Sequence, residues 1–82
     1  MTTYEQIITA NANKKTNELS AIYKRLLYEK IAIESFFDVF LHRHDLPLYN
    51  EKSSVWETYN KKYDEYEQIK FDLNLAKYYM EN

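Results

Sequence analysis

The stretch Leu26–Leu41, LLYEKIAIESFFDVFL, decides how the rest of the chain must be arranged, because eleven of its sixteen residues are apolar or aromatic. Placed on a helix at about 100° per residue, Leu19, Ile22, Leu26, Ile33, Phe36, Phe37 and Phe40 recur at spacings of three, four and seven, the stripe of an amphipathic helix facing a core. Tyr28, Ile31, Ala32, Ser35 and Val39 obey the same spacing well round the cylinder and form a second stripe. Only Glu29, Lys30, Glu34 and Asp38 are left for a narrow polar strip. A helix apolar over most of its girth has to be covered by neighbours on more than one side. This segment is therefore read as the central helix.

Toward the C-terminus the helix is predicted to continue to about His44 and to stop at Asp45-Leu46-Pro47. Pro47 cannot extend the hydrogen-bond ladder and drives the preceding residue out of the helical region. Residues 45–53 read as a packed connection, with Leu46, Leu48 and Tyr49 closing the end of a helix pair. Ser54-Val55-Trp56-Glu57 has the form of a capping box and opens the last helix, about 54–81. Along it Val55, Tyr59, Lys62, Tyr66, Ile69, Leu73, Ala76 and Met80 alternate by four and three, an apolar seam that only Lys62 interrupts. At about 1.5 Å per residue this helix and the segment Glu18 to His44 are both near 40 Å long, matched as an antiparallel hairpin.

Toward the N-terminus, Thr2 with Glu5 and Thr3 with Gln6 offer two overlapping capping boxes, so a helix is predicted to begin at about residue 3. Tyr4, Ile7 and Ile8 give it a short apolar face. The following TANANKKTNE has only Ala10 and Ala12 to bury and several residues of modest helix propensity. With neither Gly nor Pro to stop it, the favoured reading is one first helix, about 3–44, continuous or kinked. The alternative is a break between residues 11 and 17 that folds Tyr4, Ile7 and Ile8 back onto the Tyr28, Ile31 and Val39 stripe. The expected fold is thus all-α: one domain over residues 1–82, a long helical hairpin completed as a bundle by self-association. Two hairpins would make a four-helix bundle, or two first helices would cross; a three-helix monomer competes with both.

Composition bounds the rest. A chain of 82 residues buries only about 60% of its unfolded surface, which favours help from a partner. Cysteine is absent, so disulfides and thiolate metal sites are excluded. No long apolar run suggests a membrane span, and MTTYEQIITANANKK lacks the basic and apolar regions of a signal peptide; a cytoplasmic protein is expected, in the host cytoplasm if viral. The net charge of −2 comes from interspersed acids and bases, which gives no basic stripe for phosphate and argues against nucleic acid as a partner. Lys in excess of Arg, abundant Asn, Ile and Tyr and a lack of Gly fit A+T-rich codons, the motive for placing the chain in a phage, virus or mobile element.

Chemistry is sparse. Glu34, Asp38 and His42 share one face, but a di-metal bundle pairs Glu-x-x-His motifs on facing helices, and none occurs here. No cofactor, metal or catalytic residue is assigned, since without Cys or Gly neither a thiol nucleophile nor a phosphate cradle can be drawn. The nine tyrosines exceed what the seams require, and Tyr is favoured at interfaces. The candidate interface residues are Tyr28, Ile31, Val39, Tyr63, Tyr78 and Tyr79. The functional expectation is a non-enzymatic helical interaction protein that pairs with itself as a homodimer and binds a protein partner, in an accessory, regulatory or inhibitory role. The alternative is a nucleic-acid-linked regulator, binding through Lys14, Lys15, Lys24 and Arg25 or mimicking nucleic acid through Asp64, Glu65, Glu67 and Asp72.

Overall fold

Whether the N-terminal segment extends the central helix or leaves it is settled at residues 13–15. In the computed structural model, which describes residues 1–42 and 54–81, the described residues form three helices and no strand. They are α1 (Thr3–Ala12), α2 (Thr16–Leu41) and α3 (Ser54–Glu81). The favoured single first helix is therefore corrected to two helices with a tight reversal between them. The connection 45–53 and the predicted extension to His44 lie outside the described residues.

The reversal is built without glycine. Lys14 takes a left-handed backbone, φ 56°, while its N–H donates to the Asn11 carbonyl at 3.1 Å and the Lys15 N–H donates to the Ala10 carbonyl at 2.9 Å. That pair of bonds is the Schellman arrangement, which satisfies the last carbonyls of a helix and normally places Gly at the left-handed position. A side chain there costs about 1 kcal/mol or more. The compensation is burial: turning back lets α1 cover Ile7 and Ala10, which are 0% and 1% exposed. At its other end, Thr2 caps α1 by accepting the Glu5 N–H at 3.2 Å, as one of the two predicted boxes requires. The Thr3 hydroxyl is used differently, accepting from Arg25 Nη2 on α2 at 2.9 Å.

α2 and α3 pack antiparallel, since late residues of α2 meet early residues of α3: Phe40 lies against Trp56, and Glu34 against Tyr66. α1 lies along one end of this hairpin, where Ile7, Ala10, Leu19, Leu26, Leu73 and Ala76 form the buried core. Ile22, Tyr23, Leu27, Ile69, Leu75 and Tyr79 close around it. At the opposite end α2 and α3 alone meet among the described residues, and the packing becomes aromatic. Phe37 lies 5.3 Å from Tyr59 and 5.6 Å from Tyr66, and Phe40 lies 5.2 Å from Tyr59, ring centre to ring centre. The described molecule is a rod of 49 × 21 × 17 Å.

Lys62, the one interruption of the α3 seam, lies along it without burying its charge. Its ammonium sits 3.6 Å from Glu65 and 5.9 Å from the centre of the Phe36 ring, so the stem covers apolar surface while the head stays wet.

Candidate interaction surface

The backbone turn at residues 13–15 determines which apolar surface stays uncovered. α1 packs into the groove between the α2 core stripe and α3, with Tyr4 against Phe71 at 6.3 Å and Arg25 held by Thr3 and Gln6. It does not reach the outer face of α2. The alternative of a fold-back onto Tyr28, Ile31 and Val39 is thus corrected in its target: the segment folds back, but onto the other stripe. The reason is the buried area that each site offers a short helix. Between α2 and α3 it touches two partners at once, whereas the outer face offers only one.

Tyr28, Ile31 and Val39 consequently stand 79%, 59% and 66% exposed. Ala32 and Ser35 between them are exposed as well, so the stripe is continuous over about three turns of α2. Lys24 lies just before it and Asp38 within its later part. The Asp38 carboxylate lies 3.3 Å from His42 Nδ1, and the same ring nitrogen lies 2.6 Å from the Asp38 carbonyl.

The other predicted contact residues are scattered. Tyr63 is half exposed on α3, its ring 6.4 Å from that of Phe37. Tyr78 is exposed at the far end of α3, 5.7 Å from the ring of Tyr79, which itself packs against the core. Two exposed aromatic residues escaped the sequence reading. Phe71 and Tyr4 are 55% and 45% exposed and share a patch on the α1 and α3 side. The available signal was the spacing of Phe71 and Tyr78, seven residues apart and off the α3 seam.

The polar constellations are engaged locally. The Tyr66 hydroxyl donates to Glu34 Oε2 at 3.0 Å, which ties α3 to α2. That bond, with burial and the Glu34 charge, holds the Tyr66 phenol above its ordinary value, because its proton is needed. A hydrogen bond from Lys70 to Glu67, 3.0 Å away, likewise raises the Lys70 ammonium, which also lies 4.8 Å from the Tyr66 ring centre. With Glu34 bonded to Tyr66 and Asp38 to His42, the three-residue metal arrangement does not assemble, and no group of three such ligands occurs among the described residues. Of the basic residues considered for nucleic acid, Lys15 pairs with Glu18 at 3.6 Å and Arg25 with Glu29 at 3.8 Å. Of the acidic set, Asp72 is 3% exposed and accepts from Gln68 Nε2 at 3.1 Å.

Beyond the first turn of α1, an open groove of about 480 Å³ runs between α2 and α3 over a floor of Leu26 and Ile33. Its lining carries no imidazole, and its one hydroxyl, on Thr3, already accepts from Arg25. No helix of the described residues is long and apolar enough to cross a membrane. No family model, curated protein or solved structure matches the chain.

Proposed function

We propose that this chain is a non-enzymatic helical interaction protein that associates with itself and binds a protein partner, in the manner of a small accessory or regulatory protein. The observation that carries this reading is the outer face of α2. Three large side chains stand 59% to 79% exposed on one continuous stripe, although the chain has a third helix with which to cover them. A soluble chain that leaves such a stripe open when it has the means to close it has a use for the surface. The aromatic pair Tyr4 and Phe71 supplies a second exposed surface for the partner.

The test is light scattering coupled to size exclusion across a hundredfold range of loading concentration. The reading expects the apparent mass to rise from one subunit toward two, and Val39→Asp to hold it at one subunit with helix content unchanged. A single-subunit mass throughout the range, for both chains, would contradict it.

A further inference from the structure

The outer stripe has a repeat that the overall apolar pattern hides. Lys24, Ile31 and Asp38 follow one another at steps of seven, as do Ala21, Tyr28, Ser35 and His42, all on the exposed side of α2. Seven residues are two turns, so each series runs nearly straight along the helix. In the first series a base and an acid stand equidistant from a central isoleucine, about 10 Å to either side at 1.5 Å per residue. Among the described residues Lys24 makes no ion pair, and Asp38 is engaged only with His42 of its own helix, its side chain 75% exposed.

The geometry points to an antiparallel pairing of α2 with α2 of a second copy, its two-fold axis passing beside Ile31, so that Lys24 of each chain meets Asp38 of the other. This deepens the self-association reading and rests on it. A two-fold perpendicular to a pair of antiparallel helices brings residue i of one chain beside residue 62 − i of its partner when Ile31 lies on the axis. It also keeps each residue on its own edge of the contact. Lys24, Ile31 and Asp38 lie on the same edge, so the ion pairs form without crossing the seam. Tyr28 is then level with position 34 of the other copy and about 1.5 Å along the axis from Ser35, the nearest residue on its own edge; the small Ser35 and Ala32 leave room for the phenol and for close approach. A parallel pairing, whose two-fold runs along the helices, would carry the edge that holds Lys24 and Asp38 to the far side of the seam and leave both without these partners. Arg25, on the opposite edge, is already held by Thr3, Gln6 and Glu29 and is not needed.

One helix face of this length is a small contact beside the roughly 1,200 Å² at which stable interfaces begin, so the dimer is a weak, concentration-dependent one. A larger bundle using α3 would bury more and bind more tightly.

Two measurements test the register, both on the full chain. In sedimentation equilibrium, Lys24→Glu and Asp38→Lys each weaken the dimer about tenfold, and the double variant restores it. Because the chain has no cysteine, Tyr28→Cys and Ser35→Cys can be mixed and oxidised. The mixed disulfide is expected to dominate over either homodimer, since two copies of position 28 stand about 9 Å apart along the antiparallel axis. A dimer unaffected by both charge reversals, or a Tyr28→Cys homodimer as the main product, overturns the register while leaving self-association intact. A wild-type chain that stays a single subunit overturns both.

Discussion

The two ends of the rod solve the same packing problem with different materials. Where α1 is present, Ile7, Leu26 and Ala76 are buried to 1% exposure or less by small aliphatic neighbours from three helices. Where it is absent, Ile33 and Phe40 keep 7% and 6%, and rings from α2 and α3 arch over one another. Two helices in contact enclose only a line, so side chains must be wide to exclude water from it; three enclose a volume that narrow ones fill. Part of the tyrosine surplus is thereby explained, since Tyr59 and Tyr66 serve the two-helix end and Tyr23 and Tyr79 flank the three-helix core.

This contrast can be broken from either side. The largest effect belongs to Leu26→Ala, which opens a cavity where all three helices converge and is expected to destabilise by about 3–4 kcal/mol in urea unfolding. Phe37→Ala at the other end removes a ring already partly in water, and the neighbouring rings can settle into the gap; about 2 kcal/mol is expected. A larger loss at Phe37 than at Leu26 would reverse the assignment of the principal core.

Two smaller effects sharpen the picture. Lys14→Gly relieves the left-handed position and is expected to raise stability by about 1 kcal/mol, offset in part by the greater freedom of the unfolded chain. Loss of stability there would mean that the turn is not a Schellman reversal. Tyr66→Phe is expected to cost about 1 kcal/mol at neutral pH through the lost bond to Glu34. The sign of its pH effect follows from a folded phenol held above its ordinary value of 10.0. Its stabilisation is full below the unfolded value and disappears as pH rises through the folded one, a direction shared by Lys70. As pH rises above about 10 the wild type should therefore lose more stability than the Tyr66→Phe chain, as read by unfolding midpoints.

Much of this fold was legible in the sequence. The α2 stripe, the α3 seam and the Thr2 cap follow from spacing and hydroxyl chemistry and are present in the structure, except that Met80, the last residue of the predicted seam, stands exposed. The break at residues 13–15 was considered but not favoured, because the usual punctuation is absent: the chain has no Gly, and Lys14 occupies the left-handed position in its place. Whether a weak helical stretch continues or reverses is a matter of tertiary burial, here of Ile7 and Ala10, which local propensity does not contain. The burial of Asp72 was hidden for the same reason. It is off the α3 seam, on the flank that lines the groove between α2 and α3, where the Gln68 amide satisfies its carboxylate. The outer stripe, by contrast, was visible from periodicity alone, and the structure leaves it bare.

The central claim, that this bare face of α2 is where two copies meet, is tested most directly by tyrosine nitration read residue by residue across protein concentration. Tyr28 and Tyr78 stand 79% and 62% exposed in the single chain, so both should react readily when dilute. The account predicts that Tyr28 becomes protected at high concentration while Tyr78 keeps its reactivity. Equal reactivity of Tyr28 at every concentration, or protection of Tyr78 instead, would contradict it.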